Sequence, residues 1–464
     1  MNHPARRSFL VLTATAIVAA GANCAAPRAA PVAVTPRAAA SLSDREFWDL
    51  FTRASEPGGS FLSENFVSNE LTFLHPIRPL QRVVRAGDAY LGVGPEQNFT
   101  YIANLDPGVA IIFDIRRQNA MAQLMYKALF ELSPTRAEFV GRLFSRAPAP
   151  SPAGRPAPDA GAGELFDRVL AAPRSDSLYR ANLAAVVHRL TRTHGFALDS
   201  ADLASIAHVY GTFYEAGADI NYAYSPARPF PGPYATLPDL QRATNAEGER
   251  LAFLADERRY QAVRALQLRN LVVPVVGDFA GPTAIRAVGA WLAARRMNVG
   301  AFYVSNVEQY LFRRGDGGRA FYENVDALPT DSTTTFIRSV PRLPAWWLVA
   351  GGGSPSSAAP AVGPHYDVQV RDSGNATIVQ ITRDSAGRRV TTRTVDTSAT
   401  RPRSALQVFR SLQPQPAVPP GPQLIRSGLV SGTAPLRESV RRVLSGTIAS
   451  YADLVASTRT DGTP

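Results

Sequence analysis

The stretch Asp88–Asn119, DAYLGVGPEQNFTYIANLDPGVAIIFDIRRQN, decides how the chain is read. AYLGV is a short apolar run closed by a glycine turn, and QNFTYIANL behind it has helical spacing. VAIIFD is a second apolar run, rich in β-branched residues, and it ends on the acid Asp114. Strand, glycine turn, helix and strand in this order are the plan of one half of a Rossmann-like sheet. In such a half the acid that closes the second strand is placed to accept ribose hydroxyls.

The alternation resumes far downstream. LVVPVVGDF (271–279) is a continuous apolar run, as expected of a strand buried on both faces. GPTAIRAVGAWLAARR carries Pro282 near its first turn and then a helical stripe. VGAFYVSN is another buried strand, VEQYLF starts another helix, and STTTFIRSV is a further strand. From roughly 130 to 270 the spacing is mostly helical, as in LYRANLAAVVHRL and LAFLADERRYQAVRALQL. An aromatic and glycine-rich loop, YGTFYEAGADINYAYSPARPFPGPYATL, interrupts it. The sequence therefore predicts an α/β fold over residues 43–340. Its core is a Rossmann-like, doubly wound, mostly parallel sheet with a large helical insertion between strands 2 and 3.

The flanks differ in kind. Arg6 and Arg7 lead ARRSFLVL, and the apolar run continues to Ala20. Residues 1–26 thus resemble a twin-arginine export signal, and the run is too short for a mature membrane span of ~20 residues. Cys24 is the only cysteine, so no intrachain disulfide can form. Its position makes it a candidate lipid anchor, with plain cleavage near Ala25 as the alternative. Residues 27–42 read as an Ala/Pro tether, after which Ser43 and Glu46 form a capping box for a first helix. The expected location is exported, either periplasmic or held at a membrane through a lipid. Residues 341–464 read as two linkers, an exposed hairpin in TIVQITRDSAGRRVTTRTV, and an amphipathic helix, RESVRRVLSGTIASYADLVAS.

The formal net charge of +11 is nearly all arginine, Lys127 being the only lysine. The arginines are scattered among acids rather than massed on one face, so no nucleic-acid partner is expected. The histidines His75, His188, His194, His208 and His365 show no metal-ligand spacing. There is no G-x-S-x-G elbow and no P-loop.

Ligands of doubly wound sheets sit at the carboxyl ends of the strands, near the switch in strand order. The residues just beyond each expected strand are therefore the candidates. They are Gly92, Gly94, Pro95, Glu96, Gln97 and Asn98, then Asp114, Arg116 and Arg117, then Gly277, Asp278 and Phe279, then Ser305, Asn306, Glu308 and Gln309. The glycines admit a close backbone approach, and a helix starting near Asn98 directs N–H groups at the same place. Helix capping is the competing account of Asp278 and Asn306, and support of a first helical turn that of Glu308. The segment Glu64, Asn65, Asn69 and Glu70 is a candidate lid. The tyrosine-rich loop with Tyr210, Tyr214, Tyr222 and Tyr224 is a candidate substrate-side wall.

This order of residues resembles the class I S-adenosylmethionine-dependent methyltransferases: a glycine turn in GVG, a ribose acid in Asp114, an adenine-side acid in Asp278, and a catalytic polar motif in Ser305 and Asn306. The sequence departs from that pattern in its short glycine motif and long helical insertion. SFLSENFVSNE, YLGVGPEQNFTYIA, DIRRQN, LVVPVVGDFAGP and FYVSNVEQYLF more closely resemble an uncharacterised bacterial family with a methyltransferase-like core. The resemblance implies a small-molecule ligand, S-adenosylmethionine or a related nucleoside. Gly92, Gly94 and Asn98 would line its methionine part, and Asn306 with Glu308 would orient an acceptor. An exported protein would meet little of that cofactor. A catalytically silent, exported or lipid-anchored binding protein is accordingly the second expectation, and a nucleotide-processing hydrolase a weaker third.

Overall fold

The fold is seen in a computed structural model that describes residues 41–61, 63–147, 160–224, 234–341, 365–373, 376–384, 393–396 and 429–460. The expected export signal with Arg6, Arg7 and Cys24, the expected tether up to residue 40, and the expected linkers AGGGSPSSAAP and PQPAVPPGPQ lie outside the described residues.

The strands are β1 (Ala89–Val93), β2 (Val109–Asp114), β3 (Val272–Val276), β4 (Val299–Ser305), β5 (Thr335–Pro341), β6 (His365–Ser373), β7 (Ala376–Asp384), β8 (Arg393–Asp396) and β9 (Leu429–Pro435). The helices are α1 (Asp44–Ala54), α2 (Ile77–Val83), α3 (Gln97–Leu105), α4 (Arg117–Leu132), α5 (Arg136–Leu143), α6 (Ala162–Ala171), α7 (Asp176–His188), α8 (Ser200–Ala216), α9 (Leu237–Arg242), α10 (Glu257–Leu268), α11 (Ala284–Ala294), α12 (Val307–Leu311), α13 (Gly317–Asp326), α14 (Leu436–Leu444) and α15 (Tyr451–Ala456).

Six strands form one sheet in the order β3-β2-β1-β4-β5-β9. The first five are parallel, and β9 runs antiparallel to β5. This is the expected mostly parallel, Rossmann-like sheet, because the order 3-2-1-4-5 is that of doubly wound dinucleotide folds. Every residue of β1, β2 and β3 is buried, which explains why their sequences are apolar runs rather than alternations. Pro274 is tolerated within β3 because, among the described residues, that strand is the sheet edge and pairs only with β2. The order reverses between β1 and β4, so the crevice of the switch point opens at their carboxyl ends.

The helical insertion runs from α4 to α10. It shares an aromatic core with α3, in which Phe99, Phe130, Phe139, Phe253 and Tyr260 meet at ring-centroid distances from 4.5 to 6.2 Å. Losing one such ring costs ~3–5 kcal/mol, which fixes the insertion to the sheet as one packed body. At the amino end, Ser43 and Glu46 make the expected capping box, and Leu42 is already buried, with its N–H on the Arg269 carbonyl.

Three expectations change in detail. The C-terminal amphipathic segment is two helices, α14 and α15, because Gly446 turns at φ +78° and Ser450 begins a new capping box. Strand β9 just ahead of it has no apolar run to announce it. The hairpin exists as β7 and β8 but carries a third strand, β6. Tyr210 and Tyr214 belong to α8 rather than to a loop, and both stack on Tyr179.

Candidate functional site

The carboxyl ends of β1 to β4 surround one cavity of about 270 Å³. Gly94, Asp114, Asp278, Ser305 and Asn306 all line it, so five strand-end candidates from four strands meet in a shared space. Its roof is the segment between α1 and α2, which supplies Ser60, Phe61, Asn65, Ser68, Asn69 and Glu70. That strap is tied down by backbone bonds from Glu56 to Val276 (2.8 Å) and from Gly59 to Ile115 (2.7 Å). The expected lid residues Asn65, Asn69 and Glu70 therefore take that place. Glu64 does not; its carboxylate accepts from Gln118 (2.8 Å) outside the cavity. Tyr222, beyond α8, forms part of the wall as the tyrosine-loop reading anticipated, whereas Tyr210 and Tyr214 do not line it.

The glycine turn is built from within. Gly94 sits at φ +79°, and its carbonyl accepts from the amides of Asn98, Asn119 and Gln123 (3.4, 3.1 and 3.0 Å). Asn98 also donates to the Val93 and Pro95 carbonyls and accepts from the Tyr90 hydroxyl. Fully buried and bonded on both ends, it holds the turn rather than a ligand. Gly92 makes room for that same side chain, because a Cβ there would lie 1.9 Å from Asn98 Oδ1. Glu96 also points inward, and burial pushes its carboxyl up to about 8. Gly92 and Asn98 are thus corrected from ligand contacts to supports of the turn, and Glu96 to a buried carboxyl that accepts from the Ser68 N–H (3.4 Å).

Asp114 reaches the cavity rim with its charge already engaged. Arg116 donates to both of its oxygens through Nε and Nη2 (3.0 and 2.9 Å) and through its own N–H (2.8 Å). The same guanidinium donates to the Ser63 and Glu64 carbonyls, so this ion pair staples the strap to the end of β2. Asp278 accepts from Arg314 (2.7 Å) and from the Ala280 N–H (3.0 Å). It does not cap α11. Glu56 does, accepting from the Thr283 and Ala284 N–H groups (2.7 and 2.9 Å) and from the Asp278 N–H (3.1 Å).

On β4 the chain bulges between Tyr303 and Ser305, and Ser305 has a left-handed φ of +51°. Such backbone is strained for a non-glycine residue and is held here by the hydroxyl's bond to Glu70. Asn306 precedes α12 without capping it, which leaves its side chain on the cavity wall. Glu308 is corrected away from the site. It is turned toward β5, where Arg338 grips it at 2.7 and 3.1 Å and Tyr322 donates to it. A carboxylate so saturated cannot orient an acceptor.

Sequence reasoning counted Arg116 among the residues beyond the second strand without giving it a role, passed over Arg314 and Tyr310, and gave Glu70 only a covering role. Glu70 is 1% exposed, and its oxygens accept from Tyr303 (2.8 Å), Ser305 and Gln97 (3.0 Å). Among the described residues no three His, Cys, Asp or Glu side chains form a metal-ligand set, and no helix is long and apolar enough to cross a membrane. No curated protein matches the chain. Residues 66–150 and 203–398, more than half of the chain and including the five parallel strands with their cavity-lining ends, match one family, and the chain belongs to it: the family described as a domain of unknown function (DUF7790).

Proposed function

We propose that the cavity binds S-adenosylmethionine or a related nucleoside, making this a methyltransferase-like protein. The observation that carries the reading is the convergence of small and polar residues from four adjacent parallel strand ends on one cavity at the switch point. Its volume of about 270 Å³ lies near the lower end of ligand sites, ~300–1,000 Å³, which suits one nucleoside better than a dinucleotide. A carboxylate offers about four acceptor positions. Asp114 can therefore keep Arg116 and still receive ribose hydroxyls. Gly94 admits the ligand's polar chain, Phe61, Tyr222 and Tyr310 offer ring faces to a base, and Asn306, whose Oδ1 accepts from the Ser305 hydroxyl at 3.5 Å, would orient an acceptor through its amide N–H groups.

S-adenosylmethionine would supply an electrophilic methyl group. The protein's part is then alignment and exclusion of water, which needs no acid–base pair. A second reading, an exported or lipid-anchored binding protein without turnover, is favoured by one feature. Both cavity aspartates are ion-paired to arginines, and among the described residues no His, Lys or Cys lines the space.

A thermal-shift series with S-adenosylmethionine, S-adenosylhomocysteine, adenosine and common nucleotides tests binding. Ligand at ~100 times its dissociation constant should stabilise the chain by about 2.7 kcal/mol, and Asp114→Asn should abolish the shift. No shift with any of them overturns the proposal. A shift without methyl transfer to any acceptor supplied selects the second reading.

A further inference from the structure

Among the described residues, five acidic or basic side chains line the cavity, and four cancel in pairs. Asp114 is held by Arg116 at 2.9 Å and Asp278 by Arg314 at 2.7 Å. Glu70 is left over. It is 1% exposed, yet its donors are the neutral groups of Tyr303, Ser305 and Gln97, and it has no ion-pair partner among the described residues. A buried carboxylate normally sits against a cation, because neutral donors replace only part of its lost hydration. Two other buried carboxylates follow that rule, Glu308 on Arg338 and Glu131 on Lys127, and Glu96 avoids it by staying protonated. Glu70 departs from it at the one place where its carboxylate borders an open volume.

We propose that Glu70 is the counter-ion for a cationic group on the ligand, an ammonium or a sulfonium, and so selects charged over neutral ligands. The assignment rests on the reading of the cavity as a ligand site. The surroundings fit a cation. Tyr303 and Ser305 both donate to Glu70 Oε1, which fixes the carboxylate without neutralising it. Tyr310 lines the same cavity, packed edge-to-face with Phe61, whose ring already takes the Arg116 guanidinium at 5.7 Å, and aromatic faces attract cations. The neighbouring Glu96 adds no competing charge at neutral pH, since burial holds its carboxyl protonated up to about 8. Both cavity arginines are occupied by aspartates, so a ligand cation meets no unpaired positive charge among the described lining residues.

The test is a calorimetric series on the full chain with three nucleosides. S-adenosylmethionine carries a sulfonium and an ammonium, S-adenosylhomocysteine only the ammonium, and 5′-deoxy-5′-methylthioadenosine neither. Affinity should drop at least tenfold at the step that removes the cation facing Glu70, and that step tells sulfonium from ammonium. In Glu70→Gln the three affinities should lie within about twofold of one another, with that of the neutral nucleoside unchanged. Equal affinities in the wild-type chain overturn the proposal. So does a variant that loses the neutral nucleoside along with the charged ones, which marks Glu70 as a mere support. If none of the three binds, the nucleoside reading fails by itself. Choline, trimethylsulfonium and putrescine, each against a neutral isostere, then decide the charge assignment. Protection of the wild-type chain but not of Glu70→Gln by any of these cations sustains it, and the lack of such a cation sinks it.

Discussion

Glu308 and Glu70 approach the carboxyl end of β4 from different elements, are equally buried, and are put to opposite uses. Glu308, 2% exposed, meets Arg338 of β5 in a two-pronged pair, with Tyr322 donating to the carboxylate and Ser439 taking a further guanidinium N–H. Arg338 is fully buried and lies 4.5 Å from the Phe336 ring centroid. Burial by itself would lower the Arg338 pKa; Glu308 and Tyr322 outweigh it and raise it. That region is closed, and its polar groups answer one another. Around Glu70 the donors are neutral and the charge faces a cavity. The difference teaches that burial does not separate a structural carboxylate from a site carboxylate here; the presence of a counter-charge does.

The comparison breaks most sharply at Arg338. Arg338→Leu strands Glu308 without a cation and should cost about 3–5 kcal/mol, read from chemical denaturation midpoints. Replacing both partners by leucine should restore most of the loss, because an apolar pair of similar volume removes the desolvation penalty. A single-variant loss below about 1 kcal/mol would mean that the closed cluster is no more committed to structure than the open one.

Glu96, behind the glycine turn, settles its charge in a third way, by staying protonated. Its carboxyl is raised from 4.5 to about 8, chiefly by burial. Between those values the folded chain holds a proton that the unfolded chain has released. Its contribution to stability is therefore fully present below about 4.5 and is lost as the pH rises through about 8. Glu96→Gln keeps the shape and cannot ionise. The stability of the variant minus that of the wild type should grow by about 2–4 kcal/mol between pH ~5 and ~8. Parallel profiles over that range would show Glu96 charged in the fold, and Glu70 would then have a second anion close beside it.

Much of this was legible in the chain because it depends on backbone pattern. VAIIFD, VVPVV and GAFYVS are strands for the same reason that they are buried on both faces, and a parallel sheet brings their ends together. Gly94, Asp114, Asp278 and Asn306 could be placed at the cavity on that basis. Which side chain turns inward is a finer matter. Glu308 stands two residues beyond Asn306, but the short turn of α12 swings it toward Arg338, a partner 30 residues away. Asn98 was misplaced because its use is local: it fills the space that Gly92 vacates. Glu70 was read only as cover, since the strap has no period and its position is set by bonds to the β2 and β3 loops. The cap of α11 escaped for the same reason, Glu56 lying 228 residues from the N–H it accepts.

The gentlest test acts on the open side of the comparison. At Gly94 an added Cβ would meet only Asn65 Nδ2, at 3.6 Å, so a methyl group fits without moving a neighbour. What it meets is backbone cost, since φ is +79° and left-handed conformations burden a side-chain-bearing residue by about 1–2 kcal/mol. Gly94→Ala should therefore lower stability by roughly 1 kcal/mol, far less than the change at Arg338, while placing a methyl on the cavity floor. Nucleoside affinity measured by calorimetry should fall by more than stability does. The two effects have separate origins, strain in the turn and bulk in the cavity, and they need not track each other. A stability loss above about 3 kcal/mol would show the turn to be packed from that side as well. The contrast between a closed cluster and an open one would then rest on Glu70 alone.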